Sequence, residues 1–280
     1  GFLGTLGGGE YLKNRGTALV TGDQRATSGA FRLALAQGLA DEGIGVATQN
    51  DGDVITTGLT SLKGLADDFD LVVQITGSHN PKESNGVKIL GYKGMPFFGP
   101  RMVELSRAVG QRQGWSPAVR EEGVIARADF IDEHVEALDE VLPDLEHPPS
   151  LMVDFRGGAA GKVFMKLAEK KGYEVVRPGS AREVLPDAAF RNDGKPVLAV
   201  LNDTPSAGME AGIWDPSKPE AFDGIRRLQQ RIYGDARFAG RRYAGIVFDG
   251  DGDRAGFITE DGRLVMPERM LMAYYQRMIL

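Results

Sequence analysis

The sequence predicts an α/β protein of two consecutive domains with doubly wound sheets, and three observations support this class. Short β-branched runs alternate with segments of helical periodicity, as expected when crossover helices join parallel strands. Many of the 38 glycines stand in short loops between apolar runs, which suits the tight connections of such a sheet. The segment EHPPS at 146–150 interrupts the pattern, which then restarts, so we expect a domain boundary there.

The composition argues against several classes of protein. A net charge of −6 is opposite to the basic excess of a general nucleic-acid binder. The chain has no cysteine, which excludes disulfides and thiolate metal sites and makes a cytoplasmic protein the simplest expectation. The longest apolar stretches are too short for a membrane span, and the segment 1–16 lacks the pattern of a signal peptide. The sequence leaves the oligomeric state open.

The first domain is expected to contain four strands and four helices. The strands are predicted at 17–21, 44–48, 71–76 and 87–90, and the helices at 28–42, 57–66, 102–113 and 129–142. Ser28 is expected to cap the first helix, whose apolar face carries Phe31, Leu35 and Leu39 at four-residue spacing.

The second domain repeats this alternation. The strands are predicted at 151–155, 173–176 and 243–248, with a hairpin that turns at Asp261–Gly262, and the helices at 163–171, 220–233 and 267–280. The stretch 178–219 is expected to be irregular and rich in loops.

The clearest local motif is FDGDGDR at 248–254, directly after a predicted buried strand. Asp249, Asp251 and Asp253 alternate with glycines, and three carboxylates this close repel one another unless a cation neutralises them. The glycines let the backbone curl towards one ion, and oxygen ligands favour Mg²⁺ or Ca²⁺. Arg254 adds a fixed cation beside this site, which suggests an anionic substrate such as a phosphate.

Two other interpretations of this loop are open at the level of sequence. The three aspartates and Glu260 have the spacing of an EF-hand calcium loop, but Arg254 occupies the position where that loop needs glycine, and the flanking segments resemble strands. The alternative is a solvated acidic turn in which Arg254 pairs with its own loop. The position directly after a buried strand, where α/β proteins bind ligands, argues against such a turn.

A second motif, ITGSHNP at 75–81, follows a strongly apolar predicted strand and precedes NGVKI at 85–89. Gly77 permits a tight turn, so Ser78 is expected at the carboxyl edge of the sheet, where open α/β folds bind ligands. The motif is neither a G-x-S-x-G elbow nor a Walker loop. Because His79 is the next residue after Ser78, a Ser-His-Asp triad is not expected, and His79 fits a structural role as well as a chemical one.

Together, the motifs TGSHNP, NGVK and DGDGDR, in this order, resemble those of the α-D-phosphohexomutases, the family of phosphoglucomutases, phosphomannomutases and phosphoglucosamine mutases. Weaker likenesses are GDQRATSG at 22–29, LMVDFRGGAAG at 151–161 and DPSKPE at 215–220. The resemblance covers nearly the whole chain. It implies two consecutive mixed-sheet α/β/α domains, followed by the start of a truncated third, with bounds at 1–147, 148–260 and 261–280.

The resemblance implies a role for each matching residue of the two main motifs. Ser78 would be the catalytic phosphoserine, and its phosphate would join Asp249, Asp251 and Asp253 as a ligand of Mg²⁺. Arg254 would contact that phosphate.

The same resemblance implies roles for the residues around the serine. Lys88 would act as an acid–base or phosphate-binding group. His79 and Asn80 would shape the loop, with His79 among the catalytic residues and Asn80 among those that bind substrate. Arg25, retained with Asp23 in the weaker GDQR likeness, would be a further substrate-binding residue.

The implied enzyme is an isomerase of carbohydrate metabolism that works as an intramolecular phosphotransferase. The phosphoserine gives its phosphoryl group to the free 1- or 6-position of a hexose phosphate, and the other phosphate of the resulting hexose 1,6-bisphosphate returns to the serine. Glucose 1,6-bisphosphate would act as activator by restoring the phosphoserine. Which hexose phosphate is used stays open.

The chain departs from the family in two respects. The sugar-binding G-E-x-S-G-H loop of the family's third domain and the phosphate-binding loop of its fourth have no counterpart, and GFLGTLGG stands in place of the Y-D-I-R-G start. We therefore expect an incomplete enzyme that keeps the phosphoserine and metal sites and turns over inefficiently. The alternatives are a metal-dependent phosphatase-like protein and a catalytically silent module that binds phosphosugars.

Overall fold

The computed structural model describes residues 16–110, 125–178, 185–207 and 215–279. They form two compact units, one from the described parts of Gly1–Ser78 and Lys82–His134, the other from His79–Pro81 and the described parts of Val135–Leu280. Each unit is built around its own sheet, as the sequence predicts. The start of the chain, where the family's Y-D-I-R-G pattern is missing, lies outside the described residues.

The first unit contains a five-stranded mixed sheet. Its strands are β1 (Thr17–Gly22), β2 (Gly45–Gln49), β3 (Leu71–Ile75), β4 (Val87–Ile89) and β5 (Ile125–Ala128). Their order is β4-β3-β1-β2-β5, and all neighbours are parallel except β3 and β4. The connection from β3 to β4 is a loop without a crossover helix, and such a connection joins antiparallel neighbours.

Helices cover both faces of this sheet. The helices of the first unit are α1 (Ser28–Ala40), α2 (Thr57–Ala66), α3 (Pro100–Gly110) and the first part of α4 (Ile131–Val141). On one face, Val20 of β1 packs with Leu39 of α1 and Leu105 of α3. On the other face, α2 approaches β3 so closely that a side chain at Gly64 would collide with Val72. The first unit therefore has the expected α/β/α layers.

The second unit contains a six-stranded mixed sheet. Its strands are β6 (Leu151–Asp154), β7 (Glu174–Val176), β8 (Val197–Leu201), β9 (Ala244–Phe248), β10 (Ala255–Ile258) and β11 (Leu264–Val265). Their order is β11-β10-β9-β6-β8-β7. Within the order β9-β6-β8-β7, all neighbouring strands are parallel. The strand β10 is antiparallel to both of its neighbours, β9 and β11. The predicted hairpin is thus confirmed as β10 and β11.

The second sheet is also buried on both faces. The helices of this unit are α5 (Gly161–Lys170), α6 (Asp223–Tyr233) and α7 (Pro267–Ile279). Met152 of β6 packs with Ile225 and Leu228 of α6, whereas the next residue, Val153, packs with Phe164 of α5 on the opposite face. Successive side chains of β6 point to opposite faces of the sheet, so this strand contributes to the hydrophobic cores on both faces.

Two short strands contradict or extend the sequence predictions. The stretch 178–219, expected to be irregular, contains the interior strand β8, whose first four residues are buried. Its run VLAVL has no alternation, and periodicity alone does not distinguish such a buried apolar strand from a short helical segment. The edge strand β5 was not predicted either, because the four-residue run IARA is too short to show a period.

The expectation that Ser28 caps α1 is wrong. Thr27 occupies the capping position without a side-chain hydrogen bond, and Ser28 is the first helical residue. The Ser28 hydroxyl donates instead to Asp23 Oδ1 at 2.5 Å. The expected apolar face is confirmed for Leu35 and Leu39, which pack in the core, but it is wrong for Phe31, which is 50% exposed while Arg32 is buried. Hydrogen bonds of the Arg32 guanidinium to Thr48 and Gln49 compensate the burial of this charged side chain.

The predicted domain bounds stay predictions, and the compact units divide within α4, between His134 and Val135. The second half of α4 belongs to the second unit because Asp139 forms ion pairs with Lys170 and Lys171 at the end of α5. Among the described residues, none of the helices is both long and apolar enough to cross a bilayer.

Candidate active site

Ser78 lies in the loop that follows β3, at the carboxyl edge of the first sheet, as the sequence predicts. Its φ of +52° lies in the left-handed region, which non-glycine residues adopt only at an energetic cost. Its amide donates to Thr76 Oγ1 at 2.8 Å. Gly22 and Ile75, the last residues of the parallel neighbours β1 and β3, are paired in register, so the loops after both strands leave the sheet together.

Arg25, the predicted substrate-binding residue, lies in the loop after β1 and is buried. Its guanidinium donates to the carbonyl oxygens of Ser78 and Ser84, both at 2.6 Å, and to the carboxylate of Asp23 at 3.2 Å. The structure therefore brings Arg25 to the backbone of the serine loop. A contact between Arg25 and a substrate stays a prediction.

The remaining predicted residues of the first motif lie in and beside the same loop. His79 is partly buried and Asn80 is exposed. Lys88 lies in β4 opposite Gln74, and its ammonium group donates to Thr57 Oγ1 at 3.2 Å. Thr57 in turn donates to the Oε1 of Gln74. The chemical roles assigned to His79, Asn80 and Lys88 stay predictions.

The acidic loop of the second unit connects β9 to its antiparallel neighbour β10. Asp249, Asp251 and Asp253 each offer a carboxylate oxygen, and these oxygens lie within 4.8 Å of one another. Gly252 adopts a φ of +67°, which allows the chain to turn between the last two carboxylates. Two strands rather than two helices flank the loop, so the EF-hand interpretation is wrong.

The surroundings of Asp249 favour a bound cation. Asp249 is fully buried; its Oδ1 accepts from the Arg254 amide at 3.1 Å, and its Oδ2 accepts no hydrogen bond from any described residue. Burial, followed by repulsion from Asp251 and Asp253, raises the pKa of Asp249 to about 8. A divalent cation would pair with the buried oxygen and relieve the repulsion, so these residues fit Mg²⁺.

Arg254 stands beside this site with its side chain half exposed. Its Nε lies 3.9 Å from Asp253 Oδ1. An ion pair of that length and exposure contributes little to stability, so it does not account for the arginine at this position. Contact between Arg254 and a phosphate stays a prediction.

The glycine turn after β6 supports the acidic loop from beside it. Strands β6 and β9 are parallel neighbours, so the segments that follow them leave the sheet at the same edge. The amide of Ala159, in this turn, donates to the carbonyl oxygen of Gly250 at 2.9 Å. The resemblance at LMVDFRGGAAG therefore marks a segment that contacts the predicted metal loop.

Sequence reasoning missed the polar residues that hold the serine loop. Asp23, which pairs with Arg25, lies in the GDQRATSG motif, and Asn85, which donates to the hydroxyls of Thr27 and Ser28, lies in the NGVKI motif. Their place in these motifs was the available signal. Nothing in the sequence singled out Gln24, which lies between Asp23 and Arg25. In the structure the oxygen and nitrogen of its side-chain amide are buried and have no hydrogen-bond partner among the described residues.

Comparisons with known proteins agree with the motifs. Residues 4–113 match the family model described as phosphoglucomutase/phosphomannomutase, alpha/beta/alpha domain I. A phosphoglucomutase from Neisseria gonorrhoeae is 31% identical over 91% of this chain and 47% of its own length. A phosphomannomutase from Escherichia coli K12 is 26% identical over 92% of this chain and 50% of its own length.

A solved structure adds to this agreement at the level of the fold. A phosphoglucomutase/phosphomannomutase family protein from Burkholderia thailandensis matches 98% of this chain and 53% of its own, with a TM-score of 0.74 and 23% identity. At that identity the match shows the fold alone. The chain spans about half the length of the curated relatives it matches.

Proposed function

This chain belongs to the α-D-phosphohexomutase family, and on that premise we propose that it carries the phosphoserine and metal-binding half of a phosphohexomutase. The proposed activity of the whole enzyme is reversible movement of a phosphoryl group between the 1- and 6-positions of a hexose phosphate, by way of a hexose 1,6-bisphosphate. Ser78 is the proposed phosphorylation site, and Asp249, Asp251 and Asp253 are the proposed ligands of Mg²⁺.

The observation that carries this proposal is the acidic loop of the second unit. Three carboxylate oxygens lie within 4.8 Å of one another, and Asp249 Oδ2 is buried without a hydrogen-bond donor among the described residues. Burying a carboxylate in this way is costly unless a cation is bound. A loop that only connects two strands gains nothing from this arrangement, whereas a metal site depends on it.

The serine loop supplies the proposed phosphoryl acceptor. In the loading step, the Ser78 oxygen bonds to a phosphorus of the hexose bisphosphate, the bond from that phosphorus to the sugar oxygen breaks, and the serine proton passes to the sugar oxygen. The reverse step returns the phosphoryl group to the sugar and the proton to Ser78. Lys88 and His79 are the proposed groups that carry this proton.

The metal site and the neighbouring cation complete the proposal. Held by the three aspartates, Mg²⁺ would supply positive charge to offset the negative charge of the phosphoryl group. Arg254 is proposed to bind the phosphate of Ser78, since its ion pair with Asp253 is long and half exposed. The proposal requires that this phosphate reach the ion, and it includes glucose 1,6-bisphosphate as activator and a cytoplasmic location for the reaction.

The test is the phosphorylation state of the full chain after incubation with glucose 1,6-bisphosphate and Mg²⁺. Intact mass and peptide mapping are compared for wild type, Ser78→Ala and Ser84→Ala. The Ser84→Ala control removes an exposed hydroxyl of the same loop and keeps the carbonyl that Arg25 contacts. We expect one phosphate on Ser78 in wild type and in Ser84→Ala, and none in Ser78→Ala or after chelation of the metal.

Other outcomes would contradict this proposal. A phosphate that maps elsewhere, or no mass gain in a folded protein with bound Mg²⁺, would refute the phosphoserine mechanism for this chain. Phosphosugar binding without mass gain would favour the silent binding module. Rapid release of inorganic phosphate from phosphorylated Ser78 into water would favour the phosphatase-like alternative.

A further inference from the structure

A single buried carboxylate connects the loops that follow β1 and β3. The Asp23 side chain is fully buried, and each of its oxygens accepts two hydrogen bonds. Oδ1 accepts from the Ser28 hydroxyl at 2.5 Å and from the Arg25 amide at 3.1 Å. Oδ2 accepts from the Thr76 hydroxyl at 2.7 Å and from Arg25 Nε at 3.2 Å. Both loops are thereby fixed to one point.

Arg25 extends this connection across the serine loop. Its two terminal nitrogens donate to the carbonyl oxygens of Ser78 and Ser84, so the planar guanidinium joins the entry of the loop to its exit. Hydrogen bonds from a charged donor are about twice as strong as neutral ones, and their planar geometry is specific to arginine. The Arg25 side chain is only 1% exposed, and its charge is compensated by Asp23.

The conformation held in this way is a strained one. Ser78 has a φ of +52°, a conformation that costs a non-glycine residue free energy and persists only where its surroundings impose it. Two contacts act on the Ser78 backbone directly: Arg25 binds its carbonyl oxygen, and Thr76 accepts from its amide. Thr76 is itself oriented by Asp23. Both contacts therefore originate in the Asp23–Arg25 pair.

We propose that Asp23 and Arg25 are positioning residues that hold the Ser78 backbone in its left-handed conformation and so set the reactivity of its hydroxyl. They act through the backbone of the serine loop, which is a different role from the substrate contact that the resemblance implies for Arg25. The effect on reactivity rests on the proposed function, whereas the effect on the loop conformation does not.

The test compares Arg25→Lys with Arg32→Lys. Arg32 is a matched control because it is also a buried arginine of the first unit, and its hydrogen-bond partners Thr48, Gln49 and Asp51 lie outside the serine loop. Lysine keeps the charge, but it cannot bridge two carbonyl oxygens and a carboxylate in one plane. Two quantities are measured on the full chain: amide hydrogen exchange across residues 76–86, and the rate of Ser78 phosphorylation at varied glucose 1,6-bisphosphate.

We expect Arg25→Lys to accelerate exchange in 76–86 beyond any change caused by Arg32→Lys. We also expect its maximal phosphorylation rate to fall by on the order of tenfold to a hundredfold, with the half-saturating donor concentration unchanged. A raised half-saturating concentration at an unchanged maximal rate would mean that Arg25 binds substrate, and would overturn the proposal. So would exchange equal to that of the Arg32→Lys control.

The two proposals fail in different ways. If wild type is not phosphorylated at all, the proposed function fails, and hydrogen exchange still decides whether Asp23 and Arg25 hold the loop. Asp23→Asn provides a second variant, because its amide nitrogen cannot accept the hydrogen bonds that one carboxylate oxygen now accepts. Faster exchange in 76–86 is expected there as well, and unchanged exchange in both variants would refute the positioning role.

Discussion

Gly158 lies directly against Gly250: a Cβ atom added to Gly158 would stand 2.8 Å from the Gly250 carbonyl oxygen and 2.9 Å from that of Asp249. Both obstacles are backbone atoms, which cannot rotate away as a flexible side chain can. The turn after β6 and the acidic loop after β9 are therefore packed at a distance that only glycine permits.

The first prediction concerns Gly158→Ala. The added methyl group must push the backbone of the acidic loop, so the three carboxylates lose their mutual arrangement. We expect the affinity for Mg²⁺, measured by titration calorimetry, to fall by about tenfold, the lower end of the range for residues that support metal ligands. Gly29→Ala is the control, because its added Cβ meets nothing within 4 Å. Equal affinities of the two variants would contradict the packing argument.

The second prediction concerns the coupling between Gly77 and Arg25. A Cβ on Gly77 would lie 2.6 Å from Arg25 Cζ and 2.5 Å from the Ser84 carbonyl oxygen. Gly77→Ala must therefore displace the guanidinium, and adding Arg25→Lys then removes little more. We expect the free energies of unfolding to be non-additive by about 1 kcal/mol or more in a denaturant double-mutant cycle.

A matched cycle controls this second prediction. Gly77→Ala combined with Arg32→Lys is expected to be additive within about 0.5 kcal/mol, because Arg32 does not share the contacts of Gly77. Additivity in both cycles would show that the methyl group added at position 77 is accommodated without displacing Arg25.

The third prediction concerns the pH dependence of stability without divalent cations. Burial and the neighbouring carboxylates raise the pKa of Asp249 to about 8, above its unfolded value. The folded state then binds a proton that the unfolded state has released, so the free energy of unfolding falls as pH rises from about 4 to about 8. Asp249→Asn should flatten this dependence and stabilise the metal-free protein at neutral pH.

The same variant should lose its response to metal. In wild type, saturating Mg²⁺ is expected to restore stability at neutral pH by binding only the folded state. Asp249→Asn is expected to show little such stabilisation in thermal unfolding with and without Mg²⁺. Destabilisation of the metal-free protein by this substitution would contradict the account of Asp249 as an uncompensated buried carboxylate.

The fourth prediction concerns Tyr243, which directly precedes β9, at the end of that strand away from the acidic loop. Its hydroxyl is buried and donates to the carbonyl oxygen of Ala189 at 2.8 Å. Tyr243→Phe leaves that buried carbonyl without its donor, and we expect the free energy of unfolding in denaturant to fall by about 1–2 kcal/mol. The affinity for Mg²⁺ should not change, and a loss of affinity would show that β9 transmits the change to the acidic loop.

Local signals in the sequence were sufficient for most of the elements. Helix α2 was predicted at 57–66 and is found at Thr57–Ala66, with Thr56 Oγ1 accepting from the Leu59 amide as an N-cap. Phe31 was wrongly placed on the buried face of α1: it is half exposed, whereas Arg32 is buried and forms a hydrogen bond to β2. Strand β8 was missed because its apolar run has no period, and only pairing with β6 and β7 identifies it.

By itself the sequence determined the chemistry of the candidate site: a serine on a glycine loop after β3, and three carboxylates alternating with glycines after β9. These are properties of adjacent residues, and adjacency is what a sequence records. The tertiary structure alone decided that Arg25 reaches Ser78 and Ser84, which lie 53 and 59 residues away along the chain. Such contacts form because parallel strands bring their carboxyl ends to one edge, and the order of strands in a sheet depends on packing across the whole unit.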